Sequence, residues 1–299
     1  MLSVILWTLL AASGADFLDK YERRDGPTGP VYSHGWPDAE VRWAENHLRR
    51  ELDKVEDRLG RRRGKSFVTV LVGDYREFRR VVEAVGGEAP DVFTRGVAFP
   101  GRSIIVIRGD LLRSAIEDPK AVTITHEVAH LVLHRRLQTQ LPRWLDEGIA
   151  VWVSRGHLAP RDEAYLSLLA RANGLYRLET LERAFPPGHH ASALAYQQSF
   201  LMVSFLATQF GDRAVLDLLD LLEAGTPSSD ALARVTGLSP PDIEKEFTRW
   251  TATRTSIFWS LLAIFNPWTF AALLALVAIA RYVVRRRRRL REMGEEEGE

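Results

Sequence analysis

The run His126-Glu127-Val128-Ala129-His130, with Trp144-Leu145-Asp146-Glu147-Gly148-Ile149-Ala150 a short gap behind it, carries the most information in this chain. Residues four apart lie on one face of a helix, about 6 Å apart along its axis. On a helix, His126 and His130 therefore aim both imidazoles at one ion. Glu127, one position on, reaches a water bound to that ion. Apolar Val122, Ile124, Val128, Ala129, Leu131 and Leu133 surround the motif and leave one polar stripe, the pattern of a buried-faced helix.

A second helix is expected just downstream. Pro142 stands where a helix can begin, since proline is tolerated in the first turn. Trp144 to Val153 is mostly apolar, and Glu147 is an acid inside it. Burying a carboxylate there is costly unless it is paired or metal-bound. Two helices, one with both histidines and one with a glutamate, complete a three-ligand site with a position open for water. That is the layout of a catalytic zinc ion. Asp146 is expected to point to a different face of its helix.

HEVAHLVLH followed by LPRWLDEGIAVWV resembles the gluzincin-type zinc metallopeptidases, specifically the peptidase MA-like domains. The similarity runs over roughly residues 66 to 250 and includes the later AYQQSFLMVSFLATQFG stretch. By position, the resemblance implies His126, His130 and Glu147 as zinc ligands and Glu127 as the base that activates water. It also implies an oxyanion helper downstream of the third ligand, for which Tyr196 is chosen, with His189 or His190 as substitutes. Thermolysin-like members space the third ligand slightly further on and often place an aspartate four residues beyond it; here that position is Val151.

His134 continues the spacing of four. It lies about 12 Å along the helix from His126, too far to share one ion through bonds of about 2 Å. A metzincin would have glycine at position 133 and histidine at 136, where this chain has Leu133 and Arg136. His134 is therefore expected to be a packed or surface histidine.

With 299 residues and a net charge of +1, the chain has room for one sizeable globular region plus extras. It contains no cysteine, which excludes disulfides, thiolate metal sites and a cysteine nucleophile. Residues 2–12 form an apolar run followed by Ser13-Gly14-Ala15, read as a signal peptide over residues 1–15, with an uncleaved anchor or a buried helix as the alternatives. Residues 16–37 lack a period and read as an extended or loosely packed lead-in. They are grouped with a helix from Pro37 to Leu59 as a segment covering 16–65. The basic run Gly60 to Lys65 is short and free of aromatics, so it reads as a solvated turn and not as a nucleic-acid site.

Phe67–Val72 reads as a strand, Tyr75–Val85 as a helix, and Val92–Phe99 and Ser103–Ile107 as strands joined in a hairpin at Pro100-Gly101-Arg102. The strand before the motif helix either offers a free edge to an extended peptide or lies inside the sheet. Helices are expected over Arg161–Ala172, Ala193–Phe210, Arg213–Ala224, Ser229–Val235 and Pro241–Thr251, with a break from Phe185 to Ala195. The fold class is thus α+β: a small N-terminal β-sheet with helices, then a mainly helical zincin lobe, the whole peptidase domain covering 66–250.

Residues 256–280 carry no charge and are long enough to cross a bilayer, with Arg281, Arg285 to Arg289 and Arg291 directly after them. The arginines place the 281–299 tail in the cytoplasm and the zinc domain outside it. Lys120 and Arg135 bracket the histidine motif too closely for that helix to span a membrane itself. The expected protein is a membrane-anchored, zinc-dependent peptidase acting on peptides or proteins, without a nucleic-acid partner. The alternative is an inactive, membrane-anchored binding module of the same fold.

Overall fold

The computed structural model describes residues 20–60, 66–110, 119–137, 140–211, 213–256, 274–283 and 285. These fall into two units. One comprises the described residues up to Leu158 together with Tyr176–Phe247; the other comprises Ala159–Leu175 and the described residues from Thr248 onward.

The first unit begins with a five-stranded mixed sheet. Strands β1 (Glu22–Gly26), β2 (Gly29–His34), β3 (Val68–Val72), β4 (Gly96–Phe99) and β5 (Ile104–Arg108) lie in the order β1-β2-β3-β5-β4. β2, β3 and β5 are parallel, and antiparallel β1 and β4 form the two edges. Every residue of β3 and β5 is buried, which is why both read as unbroken β-branched and apolar runs. Helix α1 (Asp38–Arg58) follows β2, and α2 (Tyr75–Ala84) follows β3. The α2 side chains Phe78, Val81 and Val82 cover the sheet face bearing Val68, Val70, Val72 and Val106. Asp74 caps α2 by accepting from the Glu77 N–H at 2.9 Å.

On the opposite side of the sheet lies α3 (Pro119–Arg136), in contact with β4, β5 and α1. Ile124, Val128, Ala129, Leu131 and Leu133 are fully buried on it. At roughly 1.5–3 kcal/mol for each large aliphatic chain, this burial makes α3 the central element of the unit. From α1, Glu51 accepts a hydrogen bond from Thr125 at 3.3 Å, and His47 meets the Ala121 carbonyl at 3.3 Å. The remaining elements are helical. They are α4 (Arg143–Ser154), α6 (Leu178–Arg183), α7 (His189–Phe210), α8 (Ala214–Glu223), α9 (Ser228–Thr236) and the first part of α10 (Pro240–Thr253). The α+β class and the helical body agree with the sequence reading.

The second unit holds α5 (Pro160–Arg171) and the end of α10. Ser167 donates to the Ala252 carbonyl at 3.0 Å, Arg171 donates to the Thr255 carbonyl at 2.6 Å, and Arg254 pairs with Glu163. Residues 274–283 are helical.

Residues 20–34 depart from the expected loose lead-in. They form β1 and β2, and Tyr21 donates to the buried Glu77 carboxylate at 2.5 Å. The charged sequence of β1, Glu22-Arg23-Arg24-Asp25, hid an edge strand whose side chains face water. β4 starts at Gly96 and not at Val92, because Asp91 accepts from the Phe93 N–H at 2.8 Å and turns the chain there. His189 and His190 open α7 where a break had been expected, and α6 was not foreseen. The expected signal peptide lies outside the described residues, as do residues 257–273 of the expected 256–280 membrane span. Among the described residues, no helix is long and apolar enough to cross a membrane.

Arg136 closes the end of α3. Its guanidinium donates to the Leu59 carbonyl beyond α1, pairs with Asp220, and reaches Glu223 at 3.2 Å, both acids being on α8. The arginine is buried while Asp220 is exposed, so solvent screens part of the attraction. Arg136→Ala is expected to cost about 2–3 kcal/mol, mainly by leaving the buried Leu59 carbonyl and Glu223 short of a donor. Urea unfolding of the wild type and the variant checks this.

Candidate active site

The spacing of four brings His126, His130 and His134 to one face of α3, and α4 crosses that face with two acids in its first turns. Pro142 precedes α4 and its carbonyl accepts from the Leu145 and Asp146 N–H groups, so the helix starts sharply. Trp144, 1% exposed, anchors it in the core. The third wall is α7, which packs on α4 at Gly148. A methyl group at Gly148 would stand 2.5 Å from the Ser199 carbonyl oxygen, so only glycine permits this crossing. The fourth wall is β4. There a Cβ at Gly96 would meet the Glu127 carboxylate at 2.8 Å.

Three side-chain atoms converge inside this enclosure. His126 Nε2 lies 3.2 Å from His130 Nε2, and Glu147 Oε2 lies 3.4 and 3.5 Å from the two nitrogens. A tetrahedral centre with bonds of about 2.0–2.1 Å has edges of about 3.3–3.4 Å, so these atoms form one face of such a tetrahedron. Glu147 Oε2 is buried and, among the described residues, accepts no hydrogen bond. Two imidazoles and an orphaned carboxylate oxygen at these separations fit a zinc ion.

The acids of α4 grip His130 from both sides of its ring. Glu147 faces Nε2, while Asp146 Oδ1 meets Nδ1 at 2.8 Å. Asp146 Oδ2 lies 3.0 Å from His134 Nε2. Asp146 leaves α4 in a different direction from Glu147, as expected, yet it meets the same His130 ring. Adjacent helical residues do diverge by about 100°, but α4 crosses α3 with the His130 ring between the two directions. The same contact revises His134, which is neither a bystander nor a neighbour of the His126 nitrogen. Spacing along one helix could not reveal a carboxylate arriving from another.

The electrostatics follow from this crowding. Burial alone would raise the Glu147 carboxyl, but His126 and His130 override it and hold it well below the usual carboxylate range. Asp146 is likewise held low, because His130 and His134 outweigh its burial. Burial pulls His130 toward its neutral form, yet Asp146 and Glu147 together keep it well above an ordinary histidine. Glu127 behaves differently. Burial pushes its carboxyl up, opposed by the two histidines and by a hydrogen bond from the Ala98 backbone of β4.

Tyr196 on α7 donates its phenol to Glu147 Oε1 at 3.3 Å and packs its ring edge on Phe185 at 4.9 Å. Burial and the charge of Glu147 raise its pKa, so it remains an O–H donor. Arg143 lies 3.7 Å from Glu147 Oε1 and stacks over Phe185. His189 instead packs against Phe93, with ring centres 4.8 Å apart, and His190 packs against His189. Of the three groups considered for the oxyanion, Tyr196 is the one bonded to the cluster.

Three comparisons bear on this arrangement. A family model described as the Peptidase MA superfamily matches residues 80–253, more than half of the chain. A protein named Protease HtpX homolog, from Bordetella avium strain 197N, is 28% identical over 167 residues. That match covers 53% of this chain and 51% of the relative, so the chain spans about half of that relative's length. A solved structure of a two-domain M1 zinc metallopeptidase bound to L-arginine overlaps with a TM-score of 0.39 and 15% identity, covering 79% of this chain and 52% of the other.

The close crossing at Gly148 carries its own prediction. In Gly148→Ala the new methyl meets backbone on α7, which cannot rotate away as a side chain would. The variant is expected to lose about 1–3 kcal/mol of stability. Thermal and urea unfolding measure it, and a wild-type midpoint would contradict the crossing.

Proposed function

The chain belongs to the Peptidase MA superfamily as a gluzincin-type peptidase, and we propose that it hydrolyses peptide bonds with one zinc ion held by His126, His130 and Glu147. The observation that carries this is the triangle of side-chain atoms with edges of 3.2, 3.4 and 3.5 Å, closed by a buried carboxylate oxygen that accepts no hydrogen bond from the described residues. When bound there, zinc supplies a Lewis acid for the scissile carbonyl and a water of lowered pKa.

The rest of the reaction belongs to side chains of the chain. Glu127 accepts a proton from the attacking water and delivers it to the leaving nitrogen. Its raised pKa brings it nearer to the working pH, which favours both transfers. The Ala98 backbone and the close approach of Gly96 hold its carboxylate in place. Tyr196 presents a neutral phenol beside the ligands and donates to the oxyanion as the carbonyl carbon becomes tetrahedral. The edge strand β4, Gly96-Val97-Ala98-Phe99, supplies a backbone against which an extended substrate can pair. The protease name of the Bordetella relative agrees with this activity.

We further propose that the peptidase domain sits outside the cytoplasm behind a signal peptide at 1–15 and is anchored by residues 256–280, with the 281–299 tail in the cytoplasm. The uncharged run and the arginines directly after it support this, as do Leu274, Leu276 and Ile279, which are more than half exposed on the 274–283 helix.

Glu127→Gln is expected to keep stoichiometric zinc and to lower kcat at least 10³-fold, since only the proton acceptor is removed. Tyr196→Phe is expected to keep zinc and to lose about 10²-fold, mainly in kcat. Metal analysis and steady-state kinetics on a peptide substrate separate the two. Retained kcat in Glu127→Gln contradicts the mechanism.

Loading the site also has a proton signature. Because the folded pKa of His130 is raised, its ring is protonated at neutral pH, and zinc must displace that proton. At least one proton is expected to leave per zinc near pH 7. The release should diminish as pH climbs past the raised value, and apparent affinity should fall as pH drops. Calorimetry in buffers of different ionisation enthalpy measures it.

A further inference from the structure

We propose that His134 is a positioning residue of the metal centre, holding the Asp146 carboxylate in the orientation that fixes the His130 ring for its ion. The proposal rests on the reading of His126, His130 and Glu147 as zinc ligands.

The argument begins with what His130 needs. To offer the Nε2 lone pair, the neutral ring must carry its hydrogen on Nδ1, and an acceptor on Nδ1 selects that tautomer and sets the ring plane. Asp146 Oδ1 is that acceptor, at 2.8 Å. A carboxylate held at one oxygen can still turn about its side-chain bonds, and Asp146 sits in a partly open position, its side chain 21% exposed. The second oxygen is where His134 acts: Nε2–H donates to Oδ2 at 3.0 Å. With both oxygens engaged by donors one helical turn apart, the carboxylate is held at two points along α3. Lengthening the motif by one further i+4 histidine thus creates a two-point anchor that a single histidine does not provide.

A competing occupant exists for the same three side chains, because the ligand atoms of His130, His134 and Asp146 also lie within 4.8 Å of one another. A second ion there would require His130 to coordinate through both ring nitrogens and give up its remaining N–H. The 2.8 and 3.0 Å contacts are ordinary charge-assisted hydrogen bonds and demand no such loss.

The test uses the full-length protein, with zinc affinity read by competition with a chelator and the ligand field read from the visible spectrum of the cobalt(II)-substituted form. Wild type is expected to bind one zinc, and His126→Ala none. His134→Ala should still bind one zinc, about 10-fold more weakly, with shifted cobalt bands. His134→Gln places an amide N–H within reach of Asp146 and should restore most of the affinity and the spectrum. In an Asp146→Ala background, removing His134 should add no further loss, because its effect passes through the carboxylate. Unchanged affinity and spectrum in His134→Ala, with metal lost in His126→Ala, overturns the role of His134 and leaves the zinc site standing. Additive losses in the double variant overturn the route through Asp146. Two zinc ions in wild type and one in His134→Ala make His134 a ligand and also overturn the proposal. Tight zinc in His126→Ala overturns the ligand assignment itself, and the proposal with it.

Discussion

Three electron-rich atoms buried within 3.5 Å of one another repel each other unless a cation lies among them. His126 Nε2, His130 Nε2 and Glu147 Oε2 are such a set. His126 and His130 drive Glu147 to its charged form, while Asp146 and Glu147 drive His130 toward its protonated one. On the proposed reading, the fold keeps these atoms together at a free-energy cost that a bound zinc ion would offset. Much of the surrounding structure answers the demand that they stay convergent whether or not the cation is present.

Two close backbone approaches enforce that convergence. At Gly148 the absence of a side chain lets α4 settle onto α7, and the neighbouring Glu147 is thereby carried toward α3. At Gly96 the edge strand comes close enough for the Ala98 backbone to hold the Glu127 carboxylate. One glycine positions Glu147 and the other Glu127. Between them α3 is buried nearly all round, so the histidine-bearing face has little freedom to tilt. The distances between ligand atoms are therefore a property of the packing of three helices and one strand, not of any single loop.

How much of this was legible from sequence depends on the range of the information. Periods of four within α3 are local, so His126, Glu127 and His130 were readable directly, and an acid in an apolar run marked Glu147. The buried strands β3 and β5 also announced themselves through runs rich in β-branched residues. β1 did not, because an exposed edge strand needs charges for solubility and so resembles a loop. The contact of Asp146 with His130 was hidden for a different reason. Its direction on α4 was read correctly as diverging from Glu147, but the angle at which α4 meets α3 is a tertiary quantity, and it places the His130 ring between the two acids. Val151 stands where thermolysin-like members often place an aspartate, while in this chain Asp146 meets the His130 Nδ1 at 2.8 Å.

The two edges of the sheet show what the architecture leaves available. β1 presents Glu22, Arg23, Arg24 and Asp25, a row of charges that discourages another strand from adding there. β4 presents Gly96, Val97, Ala98 and Phe99, with no charge and each residue half-buried. An unguarded edge is a liability for a protein unless something is meant to occupy it, and this one runs past the carboxylate of Glu127. The asymmetry has a physical logic. A peptide that pairs with β4 presents its carbonyls at a fixed repeat beside the helix that carries the base, so backbone pairing aligns the scissile bond whatever the side chains are. Selectivity would then come from the side chains bordering that edge, where exposed Val92 and Phe93 stand just before the strand and Phe93 meets His189.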